Sequence, residues 1–231
     1  MMHLKLKHRS GVMLLALAVA SAGTSIPTAA AQEVTIAERT LFQDKHFSAT
    51  GKQKLTYLFL QEASDVLAFN DTATVEVHEL GPDGTASVTT QFLSGEHAVP
   101  IPPLERATGN PIILGFLESD IAKMKRLTGG SVNYFRKHIR MALAATDVHI
   151  RKTQIDYNNS TVPAQEITIV PYSGESQNKR LGRYTGKTYV FVTSAEIPGV
   201  VYCIYTKLSE TPDQTVDSSM IIAGGDPKQC N

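Results

Sequence analysis

The chain has 231 residues, 22 basic and 22 acidic side chains, two cysteines and 42% hydrophobic residues. Formal net charge is zero, so nothing in the balance points to a nucleic-acid partner. The length suits one good-sized domain with its own core, and no Cys-x-x-Cys is present to suggest thiol-redox catalysis.

The N-terminus reads as a secretory signal. Lys5, Lys7 and Arg9 precede the apolar run at 11–20, and small residues around "TAAAQE" follow. That run is ten residues long, whereas a spanning helix needs about 20. Two Ala-x-Ala sites are present, ending at Ala22 and Ala31, and the spacer containing Pro27 favours cleavage after Ala31. Residues 1–31 are thus expected to be removed, leaving a single periplasmic or secreted domain at 32–231 of bacterial type. Removal takes three basic and no acidic residues, leaving 19 against 22 and a net charge of −3. No other apolar run approaches membrane-spanning length.

Antiparallel strands are expected first. "QKLTYLFLQ" is a strand candidate, and "TATVEVHEL" alternates Ala73, Val75 and Val77 against Thr74, Glu76 and His78. The turn "GPDG" leads into "TASVTTQFL", with Ala86, Val88 and Phe92 on a period of two. The proline-rich "VPIPPLERATG" reads as a crossing loop. A helical insertion over 110–145 follows. Asn110 caps, Pro111 opens, and Ile113, Phe116, Leu117, Ile121 and Met124 share one side of the first helix. Gly129-Gly130 ends it, Ser131 caps a second helix, and Val132, Phe135, Ile139, Ala142 and Leu143 form the second stripe.

Two further hairpins are expected, one turning at Asn158-Asn159 and one at Pro198-Gly199. Both strands of the last hairpin are apolar on both faces, which implies a layer on each side or a face lining a cavity. Tyr189, Phe191, Tyr202 and Ile204 are the candidate ligand-cavity residues. Cys203 and Cys230 read as one disulfide in an oxidising compartment, pinning a polar C-terminal tail at 209–231. The fold class expected is α+β: a curved antiparallel β-sheet or half-barrel with an inserted helical pair packed on it.

Motifs for catalysis are absent. There is no Gly-x-Ser-x-Gly, and Ser131 reads as a helix cap rather than a nucleophile. His46, His78, His97, His138 and His149 show no metal-binding spacing, and Glu118 and Asp120 fall on different helix faces. No catalytic residue, metal or cofactor is expected. Positive charge does concentrate locally. Between residues 121 and 152 there are eight fixed cations against Asp147 alone, with Arg136, Lys137 and Arg140 close together on the second helix. Such a run is a solvated face or, functionally, a contact for anionic headgroups, glycans or an acidic partner. Arg126, Arg136, Lys137 and Arg140 are the candidate anion- or partner-binding residues.

The order of signal peptide, strands, helical pair and "KTYVFVTSAEIPGVVYCIYTKL" resembles the LolA/LolB-like periplasmic lipoprotein carriers. It is more similar still to bacterial envelope domains of unknown function with that half-barrel architecture. The resemblance covers roughly residues 50–208 at the level of element order and carries no functional residue across. It implies a concave apolar surface for an acyl chain or other lipid, and the missing lipobox fits a soluble carrier. A non-enzymatic carrier for a hydrophobic ligand in envelope maintenance is the leading expectation. A structural or protein–protein module docking through its basic helix is the alternative.

Overall fold

The computed structural model describes residues 33–62, 67–175, 178–209 and 214–230. The signal peptide expected at 1–31 lies outside the described residues. Chain order starts with a helical turn α1 (Ile36–Glu38) that continues as a π-wound segment, Arg39–Gln43. A meander follows of β1 (Lys54–Gln61), β2 (Phe69–Leu80), β3 (Ala86–Phe92) and β4 (Leu104–Ala107). Helices α2 (Ile112–Thr128) and α3 (Val132–Leu143) come next. A second meander comprises β5 (His149–Tyr157), β6 (Ser160–Ile169), β7 (Thr188–Thr193) and β8 (Val201–Ser209), and β9 (Gln214–Ile222) closes the chain order.

All pairings are antiparallel, and the nine strands form one open sheet in the order β4-β3-β2-β1-β9-β8-β7-β6-β5. The last strand is therefore the keystone. It lies between β1 and β8, pairing Phe59 with Met220 on one side and Ile204 with Met220 on the other. Without it the two meanders share no backbone ladder. This corrects the reading of 209–231 as a pinned tail: residues 214–222 are a central strand, and the segment after Ile222 meets the sheet again through a bridge between Gly225 and Tyr157. A second correction concerns the proline-rich crossing segment, where Leu104–Ala107 pairs with β3 as an edge strand. Pro102 and Pro103 stand just before it, a position sheets tolerate at an edge.

Local chemistry explains most boundaries. Asn158 and Asn159 both take positive φ (48° and 64°), the left-handed pair that a two-residue hairpin turn requires. Gly129 closes α2 at φ 70°, and the Ser131 hydroxyl accepts the Tyr134 N–H to start α3. The alternating residues Tyr57, Phe59, Val75, Val88 and Phe92 are buried, while Leu58 on the other face of β1 is 50% exposed. Helix α2 touches this buried face. The Phe116 and Phe59 rings lie 6.1 Å apart, and a Cβ on Gly115 would stand 2.2 Å from the Phe92 ring. Only glycine permits that approach.

Asn110 ties the start of α2 to three other parts of the chain. Its Oδ1 accepts the Ile112 N–H, and its Nδ2 donates to the Tyr57 hydroxyl and the Gly199 carbonyl, both at 2.9 Å. Its own N–H donates to His46 Nδ1 at 2.9 Å, so that nitrogen is unprotonated and Nε2–H donates to the Thr40 carbonyl. Burial holds the His46 pKa below its ordinary 6.5, against weaker opposing effects of the Thr40 carbonyl and Asp44. A histidine depressed in the folded state contributes stability above the unfolded pKa and loses it as pH falls. Urea midpoints of the wild type should therefore decline as pH drops below 6.5, and His46→Gln should flatten that decline. Identical pH profiles for the two proteins would contradict this assignment.

Candidate functional site

Two features stand out around the helices, and sequence reasoning marks only the arginines that border one of them. The unforeseen one is a buried quartet of charges: Asp120 and Lys123 on α2, Lys187 just before β7, and Asp217 on β9. Lys187 is 0% exposed and the other three no more than 3%. Lys187 Nζ lies 2.6 Å from Asp120 and 2.5 Å from Asp217. Lys123 Nζ donates to Asp217 and Ser218 Oγ at 2.7 Å and to Gln61 Oε1 at 3.0 Å. Tyr189 donates to the second Asp120 oxygen at 2.6 Å, Tyr172 lies 3.1 Å behind it, and Thr206 donates to Asp217 at 3.1 Å.

Two ammoniums against two carboxylates leave the cluster neutral, which is how buried charge is tolerated. Burial works against an ionised Asp217, but the Lys187 and Lys123 charges outweigh it and hold its carboxyl well below the usual range. Burial also lowers Lys123, helped by the charge of Lys187. For Lys187 burial acts in the same direction, yet the two carboxylates raise it above its ordinary value. The three protons of Lys123 have three acceptors, so this amine is not free to act as a nucleophile. The quartet fastens α2 to the middle of the sheet. A cavity of about 100 Å³ adjoins it, bounded by Phe59, Phe69, Lys123 and Arg126, with the His97 ring stacked 3.9 Å from Phe69. Among the described residues no three His, Cys, Asp or Glu side chains come together as metal ligands.

The second feature is a groove of about 400 Å³ between α1, α2 and α3. Phe42, Leu114, Leu117, Ile121, Ile139 and Leu143 form its apolar lining. Glu38, Glu118, Arg136 and Arg140 also border it. Arg136 makes a two-pronged pair with Glu118 at 2.7 and 2.6 Å across the helices. The third wall is held in place by Thr35, whose hydroxyl donates to the Leu143 carbonyl at 2.8 Å. Leu114 is 50% exposed, so apolar surface is open to an incoming molecule.

The expected cationic residues therefore divide. Arg136 and Arg140 border the groove, Lys137 is exposed on α3, and Arg126 stands at the small cavity beside the quartet. Lys123, counted with the surface charges in the sequence, is buried. Tyr189, Phe191, Tyr202 and Ile204 are all buried in the core, at 0 to 1% exposure. Tyr189 belongs to the quartet, and the Tyr202 hydroxyl meets Gln229 at 2.9 Å and the Asp226 N–H at 2.8 Å. The Cys203–Cys230 disulfide is present, with Cα atoms 6.3 Å apart. No helix of the described residues is long and apolar enough to cross a membrane.

A signal for the quartet did exist in the sequence. Asp120 and Lys123 lie four and seven residues after Phe116, on the same side of α2 as the apolar stripe. Lys187 and Asp217 carried no such mark. Compared with known proteins, the chain matches no family model and no curated relative.

Proposed function

We propose that the protein is a non-catalytic carrier or binding protein of the bacterial envelope. Its ligand is an amphiphile whose acyl chain occupies the groove between α1, α2 and α3. Arg140 then faces the anionic head, while Arg136 stays paired with Glu118. The sheet is read as a half-barrel with the helical pair on its concave side, and the chain as periplasmic after loss of residues 1–31. The observation that carries this reading is an apolar groove with arginine at its border and a half-exposed leucine, Leu114, in its wall. Its volume of about 400 Å³ falls in the range of small-molecule sites.

The docking of α3 on an acidic partner is less favoured, because Glu118 already engages the Arg136 guanidinium. The carrier reading predicts saturable binding of a fluorescent fatty acid or lysophosphatidylglycerol. Leu114→Glu should weaken it at least roughly tenfold by placing a charge where a chain packs. Because Leu114 is half exposed, the variant's melting temperature should hold. Absence of binding to either probe, or equal binding by the variant, would overturn the proposal.

A further inference from the structure

We infer that the outward face of α3 docks the protein on an anionic lipid bilayer, an inference that rests on the carrier reading for its purpose. Asn133, Arg136, Lys137, Arg140 and Met141 are the exposed residues of this helix. Arg136 lies four residues before Arg140, and Lys137 four before Met141, a spacing that makes each pair neighbours on the helix surface. Those four side chains form one patch, and α3 carries no acidic residue.

Charge on this patch is only partly spent. Arg136 is neutralised by Glu118 at 2.6 Å, whereas Lys137 and Arg140 make no ion pair among the described residues. Glu38 of α1, which borders the same groove, is engaged in the capping box with Thr35. Asp147, the first acid after the helix, lies four residues past its end. Apolar surface adjoins the two free cations. Met141 is 56% exposed, and Leu114 in the groove wall is exposed as well. At the C-terminal end the Thr35 hydroxyl holds the Leu143 carbonyl, which sets the exposed Val34 and Ile36 beside the helix.

That mixture selects the partner. Free cations beside exposed apolar side chains fit a bilayer interface, where anionic headgroups attract the basic groups and the apolar ones enter the acyl boundary. An acidic protein or a nucleic acid would use the charges and leave Met141 and Ile36 without a role. Each basic group near an anionic surface strengthens binding roughly fivefold, so two give roughly 25-fold. Such a hold is weak and reversible, as a carrier that must leave the membrane again requires. The patch is also continuous with the groove, because Arg136 and Arg140 belong to both. Docking on this face brings the groove to the membrane surface, where an amphiphile can pass between the two.

The test sediments the mature protein with vesicles of phosphatidylglycerol and phosphatidylethanolamine, or of phosphatidylcholine alone. Binding to the anionic vesicles should exceed binding to the neutral ones at least roughly tenfold and should fall as salt rises. Lys137→Gln should weaken it roughly fivefold, and Met141→Ser by a similar factor. Both positions are exposed, so melting temperatures should hold. Met141→Ser should also keep its oleate affinity, because Met141 stands outside the groove. Equal binding to both kinds of vesicle, or binding to neither, would overturn the inference. So would full binding by Met141→Ser, since a surface held by charge alone suits an acidic protein. Vesicle binding without oleate binding upholds the docking and removes the carrier reading, and oleate binding without vesicle binding does the reverse.

Discussion

Replacing Asp217 by alanine should cost about 3–5 kcal/mol, the range found when one member of a buried ion pair is removed. The loss exceeds that of a deleted methylene because two ammoniums, Lys123 and Lys187, would then share the single carboxylate of Asp120. A buried positive charge would remain in the centre of the sheet, against α2. Thr206 would also lose its acceptor on Asp217, whereas Gln61 would keep the Asp217 backbone carbonyl. The companion variant separates charge from packing. Lys187→Met with Asp120→Leu removes one charge of each sign and leaves the Lys123–Asp217 pair at 2.7 Å. Matched removal of buried charges is often neutral or stabilising, so the double variant should keep more stability than Lys187→Met alone. Urea unfolding followed by circular dichroism measures all of these. A midpoint for Asp217→Ala equal to wild type would mean that the quartet is not desolvated in solution.

Loss of the disulfide should be the next largest effect. Cys203 and Cys230 are 27 residues apart, and closing a loop of that length is worth roughly 3–4 kcal/mol in the chain-entropy account. What lies inside the loop matters more than its length. The loop contains β9, the strand that joins the two meanders. Freeing its far end releases the segment held by Tyr202, Gln229 and Asp226, and with it one restraint on the keystone strand. Cys230→Ser should therefore lower the urea midpoint and speed hydrogen exchange at Met220 and Ile222, not only after residue 223. Unchanged midpoints, with faster exchange confined to 224–230, would show that β9 is held by the sheet alone.

The elements visible in the sequence were those whose signals are local. Alternation marked β2 and β3, paired asparagines marked the β5–β6 turn, and glycine and serine marked the ends of α2 and α3. The disulfide was legible because the chain holds only two cysteines. Strand β9 was not, because "TVDSS" looks like a solvated tail. Its Asp217 and Ser218 are acceptable in the core because Lys187 meets Asp217 there and Lys123 arrives from α2 to meet both, a contact across 94 residues of chain in the case of Asp217. For the same reason Lys123 was counted with surface charges. A charge run gives no hint that one member turns inward, whereas its spacing from Phe116 does. The groove was half legible. Arg136 and Arg140 were identified from charge, but the apolar channel they border also needs Phe42 and Leu143, whose approach depends on the Thr35 cap of α1.

Where an acyl chain rests on the protein tests the carrier proposal most directly. Intermolecular nuclear Overhauser effects between carbon-13-labelled oleate and a methyl-labelled protein report it without any variant. Contacts from the chain methylenes to Leu114, Ile121, Ile139 and Leu143 are the predicted result, with the carboxylate shifting Arg140. An absence of such contacts under saturating oleate, or contacts falling on other surfaces of the sheet, would contradict the account.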